Sequence, residues 1–167
     1  DDIWITGNLG ESSIGLAIRQ KKIIVNNITK KYFLTKYLFP KHCFVGDKIA
    51  NIATSAIDMS DGFYGDLENL INEKKLGASI NSSLIPFSFK TKKLIRNKII
   101  NFNYLLTAGD DYELLFTAQS RNSSTIIRLA KSNNIKITKV GKIIEKKGLY
   151  LDGKKIKIIN KSFKHFF

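Results

Sequence analysis

Apolar side chains recur in this chain with two different periods, and the change from one to the other marks out its elements. Ile3, Trp4 and Ile5 form a short extended run, Gly7 and Gly10 allow a tight turn, and Ile14, Ala17 and Ile18 mark one face of a helix. Residues 21–27 are a polar break around Ile23 to Val25. Tyr32, Phe33 and Tyr37 then predict a helix from Thr29 that Pro40 must end. A short helix is expected within 44–54, starting near Gly46, and a short strand from Ala56 to Met59. Phe63, Tyr64, Leu67, Leu70 and Ile71 have the cleanest amphipathic spacing in the chain, a helix whose expected stop is Gly77.

Further on, GASIN (77–81) reads as a strand, SSLIPFS as a loop broken by Pro86, and residues 90–100 as a basic helix carrying Leu94, Ile95 and Ile99. Tyr112 to Ala118 is apolar on both faces, the mark of a central strand. Residues 123–133 open on a Ser-Ser cap and show Ile126, Ile127 and Ala130 on one helical face. The alternation from Ile135 onward, with a turn signal at Asp152-Gly153, predicts strands and a hairpin. There is no internal repeat and no low-complexity linker. The fold class expected is α+β, a mixed β-sheet flanked by helices, in a single domain spanning 1–167.

Composition supports a globular core: 43% of the 167 residues are apolar and 25% charged, and a chain of this length can bury roughly 70% of its unfolded surface. A lone cysteine, Cys43, cannot form an internal disulfide, and His42 and His165 stand too far apart for a zinc cluster. A reducing compartment, the cytoplasm, is expected. No apolar run approaches the length of a membrane span, and DDIWITG has neither part of a signal peptide. A start on a strand, without methionine, suggests a piece of a longer protein.

The net charge of +14 raises nucleic acid as a partner. Its distribution argues otherwise, because the cations are nearly all lysines spread along the chain among Ile and Asn. Arginine, which suits base reading and bidentate phosphate contacts, is scarce. A solvated surface is expected, with no specific nucleic acid and no membrane as partner; a basic nucleic-acid-binding module is the rival.

Two segments carry candidate chemistry. In Ala56-Ile57-Asp58-Met59-Ser60-Asp61-Gly62 a strand leaves the core, turns, and feeds the amphipathic helix, so its side chains sit on a sheet's rim. Two carboxylates three residues apart there can face one cavity. Such hard oxygens suit Mg²⁺, which is commonly held by one or two carboxylates together with substrate phosphates. Ser60 and the free N–H groups of the helix start can bind a phosphate oxygen. Equally, Ser60 or Asp61 can be a plain helix cap, whereas Asp58 lies outside any cap position. The second segment, Ala108-Gly109-Asp110-Asp111-Tyr112-Glu113, crowds three carboxylates into four residues. That concentration suggests a cation, a cationic ligand or a salt bridge to a lysine; an Asp-cornered turn is the plainer alternative.

Taken together, IDMSDGFYGDL (57–67), AGDDYELLF (108–116), ITGNLGESSIGLA (5–17) and SFKHF (162–166) resemble the thiamine-monophosphate kinase family of the AIR synthase-like superfamily, end to end and in order. Other members of the superfamily tend to carry a threonine and more glycines in place of IDMSDG. The resemblance implies the C-terminal half of a kinase whose other half holds most of the ATP site and several Mg²⁺-binding aspartates. It implies Mg²⁺ ligands at Asp58 and Asp61, an ATP contact at Ser60, and substrate contacts at Asp110 and Phe163. Asp110 stands where the family usually has Glu, and Ser162 and Lys164 replace the usual Gly and acidic residue beside Phe163. No residue resembles an activated nucleophile. Direct transfer from ATP to the phosphate of thiamine monophosphate is implied, in a homodimer built largely through the N-terminal half. Within this class the alternative is another AIR synthase-like ATP-dependent enzyme.

Overall fold

A computed structural model describes residues 1–40, 45–72 and 76–156. In chain order it runs β1 (Asp2–Thr6), α1 (Glu11–Arg19), α2 (Asn27–Leu38), α3 (Gly46–Ile49), β2 (Ala53–Asp58), α4 (Phe63–Asn72), β3 (Gly77–Ile80), α5 (Phe89–Arg96), α6 (Phe102–Thr107), β4 (Leu114–Ala118), α7 (Ser123–Ser132), β5 (Ile137–Ile144), β6 (Gly148–Leu151) and β7 (Lys154–Lys155). The strands form one sheet in the order β2-β4-β1-β5-β3-β6-β7. Only β3 and β6 pair in parallel; every other neighbouring pair is antiparallel. The sheet is mixed and flanked by helices, as the pattern predicts.

Alternation along the inner strands divides the core between two faces. Ile3, Ile5 and Leu115 point into one cluster with Ile14 of α1, Phe33 of α2, Leu67 of α4, Leu94 of α5 and Leu105 of α6. Trp4, Phe116 and Ala118 point the other way, against Ile49 of α3 and Ile126 of α7. Burying each such side chain contributes about 1.5–3 kcal/mol, so β1 and β4 are held from both sides. β4 is the central strand expected, covered on both faces. β2 is an edge strand, half-buried and exposed in strict alternation.

Several boundaries differ from the expectation, each for a local reason. α2 starts at Asn27, capped by Asn26, whose side chain accepts the Thr29 N–H. β2 begins three residues earlier than Ala56 and ends at Asp58, because α3 is only four residues long. Gly77 does not stop a helix: it opens β3, where a Cβ would fall 2.0 Å from the Lys146 carbonyl oxygen, so β3 and the turn before β6 approach as only glycine permits. α5 ends at Arg96, and Lys98 (φ 56) turns the chain out of it. The sequence pattern missed α6, whose cap is Asn101, accepting the Asn103 and Tyr104 N–H groups. The hairpin between β6 and β7 turns at Asp152 (φ 49) and Gly153 (φ 78), as expected of a tight Asp-Gly turn.

Candidate functional site

Antiparallel pairing puts the last residues of β1 and β2 beside the first of β4. Ile5 is opposite Leu115, and Asp58 is opposite Leu114. The loops that leave these three ends, around 7–10, 59–62 and 108–113, therefore share one rim of the sheet. The two acidic segments of the sequence meet there.

Their backbones are zipped together beyond the strands. Met59 N–H donates to Glu113 O (2.8 Å), Tyr112 N–H to Met59 O (3.0 Å) and Asp110 N–H to Ser60 O (3.0 Å). Gly109 makes the approach possible, since a Cβ there would lie 2.0 Å from the Ser60 carbonyl oxygen. Gly62 (φ +101) also passes close to Thr107 O, which a Cβ there would meet at 2.7 Å. Asp110 (φ 68) and Tyr112 (φ 50) both adopt the left-handed conformation that non-glycine residues avoid. That bend is why β4 starts at Leu114 and not at Tyr112.

The crowded carboxylates have separate tasks. Asp111 turns inward and caps α1 from 101 residues away: its carboxylate accepts the Gly10 N–H at 2.6 Å and the Ser12 N–H at 3.4 Å. Burial pushes the Asp111 carboxyl up to about 7, against those two donors, and the charges of Glu113 and Glu11 add to the rise. Glu113 accepts a hydrogen bond from the Thr6 hydroxyl (2.5 Å), and the same hydroxyl oxygen accepts the Leu114 N–H (2.8 Å). Its carboxylate fills the space where a Cβ of Gly7 would be, and burial raises its pKa. Among the described residues none of these acids forms the salt bridge considered from the sequence; the ion pairs are Lys36–Glu11 and Lys139–Asp2.

Asp58, Ser60, Asp61 and Asp110 remain on the rim. Asp58 is exposed and the other three are half-buried. No described residue hydrogen-bonds to the Asp58 or Asp61 carboxylate or to the Ser60 hydroxyl, so neither Ser60 nor Asp61 caps α4 through its side chain. Asp61 instead donates its backbone N–H to Asp66 (3.1 Å), a residue in the first turn of α4 that is 2% exposed. Burial pushes the Asp66 carboxyl up to about 6, helped by the negative charges of Asp61 and Asp58. Tyr112 donates its hydroxyl to Asp110 Oδ1 (3.3 Å).

Among the described residues no three Asp, Glu, His or Cys side chains stand close enough to hold a metal by themselves. Asp58 and Asp61 do present unengaged hard oxygens, a donor set that Mg²⁺ takes when phosphate oxygens complete its shell. Cys43, His42, His165 and the candidate substrate contact Phe163 lie outside the described residues. Sequence reasoning missed Thr6, Asp66 and the inward task of Asp111; the one local hint was Gly10 opening a helix without a capping side chain of its own.

The Asp111 environment has a measurable consequence. Its folded pKa lies above the unfolded value near 3.8, so the folded protein holds a proton that the unfolded chain releases. Stability is therefore greatest below about pH 4 as far as this group is concerned, and falls as pH rises towards 7. Asp111→Asn keeps an acceptor oxygen for one N–H and removes that titration. In urea unfolding between about pH 4.5 and about pH 7.5, the decline in stability is expected to be shallower in the variant by about 1–3 kcal/mol; equal slopes would contradict this placement.

The sequence model for "AIR synthase related protein, C-terminal domain" matches residues 1–154. Thiamine-monophosphate kinase of Buchnera aphidicola subsp. Schizaphis graminum is 41% identical over 99% of this chain and 53% of its own length. The thiamine-monophosphate kinase of Escherichia coli K12 is 30% identical over 99% of this chain and 52% of its own. Among solved structures, the thiamine-monophosphate kinase of Stenotrophomonas maltophilia K279a superimposes with a TM-score of 0.81 at 25% identity, over 93% of this chain and 51% of that one. "AaThiL complexed with AMPPCP and TMP" does so with a TM-score of 0.82 at 26% identity, over 99% and 51%. The chain thus spans about half the length of the curated relatives it matches.

Proposed function

This chain belongs to the AIR synthase related proteins, whose C-terminal domain it carries, and from that premise we propose that it is one half of an ATP-dependent kinase converting thiamine monophosphate to thiamine diphosphate. The observation that carries the reading is the joining of IDMSDG and AGDDYE on one rim, where no described residue hydrogen-bonds to the Asp58 or Asp61 carboxylate or the Ser60 hydroxyl and the Asp110 carboxylate accepts only from its neighbour Tyr112. The names of its relatives and the AMPPCP and TMP held by a structural neighbour support the substrates.

In this reading residues 1–167 act as a single domain, joined to an N-terminal nucleotide-binding half and paired in a homodimer. Asp58 and Asp61 hold Mg²⁺, and Ser60 donates to the nucleotide's phosphates. Asp110, and by the family resemblance Phe163, face the acceptor. When bound there, Mg²⁺ would offset the repulsion between nucleotide and acceptor phosphate. The acceptor phosphate is already ionised and needs no general base, so the chain's residues position and do not attack. One acceptor oxygen bonds to the γ-phosphorus as its bond to the bridging oxygen breaks, and ADP leaves.

A cytoplasmic location belongs to this reading, in keeping with a lone cysteine that cannot form an internal disulfide; among the described residues no helix is long and apolar enough to cross a membrane. An acidic rim gives no support to the nucleic-acid rival. The test is to incubate the full-length protein with Mg²⁺, thiamine monophosphate and ATP labelled with ¹⁸O in its γ-phosphoryl group. Label is expected in the terminal phosphate of thiamine diphosphate; label in inorganic phosphate alone would overturn direct transfer.

A further inference from the structure

The geometry points to Tyr112 as a specificity-determining residue that reads the positive charge and flat ring of the acceptor. This rests on the kinase reading above. Tyr112 is 43% exposed, although it stands one residue before Glu113, whose carboxylate is taken inward. Its backbone N–H is tied to Met59 O at 3.0 Å, and its φ of 50 turns the side chain away from the strand that follows. Bulky residues seldom adopt that conformation, and here it leaves the side chain exposed on the rim. Its hydroxyl lies 3.3 Å from Asp110 Oδ1, and the charges of Asp110 and Asp58 both reach the phenol.

A chain with 28 lysines and arginines against 14 acids has cations to spare. Yet no lysine or arginine among the described residues pairs with Asp58 or Asp110. An exposed aromatic face beside carboxylates that no cation of the described chain neutralises is the environment that a flat cationic ring recognises, by stacking, by the ring quadrupole and by Coulomb attraction. Thiamine monophosphate carries such a ring, its thiazolium; ATP does not. Tyr112 therefore acts on the acceptor and leaves nucleotide recognition to Ser60 and the other half.

The test uses the full-length protein with Tyr112→Phe and Tyr112→Leu, assayed for thiamine diphosphate formation with each substrate varied in turn. Loss of the aromatic face in Tyr112→Leu is expected to raise the KM for thiamine monophosphate roughly 2- to 30-fold, the factor that corresponds to about 0.5–2 kcal/mol. The KM for ATP should stay within about twofold, and Tyr112→Phe should behave nearly as wild type. Against the 3-deaza analogue of thiamine monophosphate, whose thiophene ring is neutral, the penalty of Tyr112→Leu should shrink; this comparison separates charge reading from simple packing. Wild-type turnover with no selective rise in the acceptor's KM, or equal penalties for charged and neutral acceptors, overturns the role of Tyr112 alone. Wild-type protein unable to phosphorylate thiamine monophosphate overturns the kinase reading and this inference with it. If Tyr112→Leu does not fold, the same two acceptors compared in Tyr112→Trp decide the matter: a larger aromatic face should favour the charged one, and no change in their ratio refutes the assignment.

Discussion

Asp58→Asn in the full-length protein is expected to cut the rate of thiamine diphosphate formation by at least about a hundredfold, since even outer-shell partners of a metal ligand are worth about 10- to 100-fold. The fold should hardly notice. Asp58 is exposed at the end of an edge strand, and no described residue hydrogen-bonds to its carboxylate. Asn has the same shape, so only charge is lost. That charge acts on the buried Asp66, and removing it relieves repulsion. Stability should therefore move by no more than about 0.5 kcal/mol. Turnover measured across a range of Mg²⁺ concentrations, with urea unfolding as the control, checks both halves; unchanged turnover at limiting Mg²⁺ would rule out a metal role for Asp58.

Gly109→Ala should damage fold and function together. The added Cβ would meet the Ser60 carbonyl oxygen at 2.0 Å and its carbon at 3.0 Å, both backbone atoms that cannot swing aside. The segments around 59–60 and 110–112 must then separate, and the N–H···O bonds joining them lengthen or break. Overpacking of this kind costs about 1–3 kcal/mol. Moving Asp110 and Tyr112 away from Asp58 and Ser60 by even about 1 Å should lower turnover by about a hundredfold. Gly65→Ala is the contrast. Inside α4 a Cβ at Gly65 meets only Asp61 Cβ, at 3.8 Å, so the usual helical advantage of alanine should stabilise by about 0.5–1 kcal/mol. Thermal unfolding of the two variants beside wild type reads both signs; a neutral Gly109→Ala would mean that the two motifs are not held as close as the structure has them.

Local sequence reported well on whatever local burial decides. The strand-turn-helix of 56–71 was visible because the same residues that leave the sheet also begin an apolar stripe, and Asp152-Gly153 announced its hairpin by turn chemistry. α6 escaped because six residues are too few to show a helical period. Gly77 misled because a glycine after an apolar stripe reads as a stop, whereas here it is required by a backbone passing behind it. The crowded acids at 110–113 were noticed, but their division of labour was not readable: Asp111 is defined by an uncapped helix 101 residues earlier, and Glu113 by a threonine 107 residues earlier. Long-range partners leave no periodic trace. The rim residues Asp58, Ser60 and Asp61 came through because their side chains lack such partners within the described chain.

The most direct measurement is the formation of thiamine diphosphate from ATP and thiamine monophosphate by the full-length protein and by residues 1–167 alone, side by side in the presence of Mg²⁺. Two free carboxylates are too few to hold the ion and the nucleotide unaided. Turnover is expected from the full-length protein and none from the 167-residue chain. Mg²⁺-dependent turnover by the isolated chain, or none by the full-length protein, would contradict its assignment as one half of this kinase.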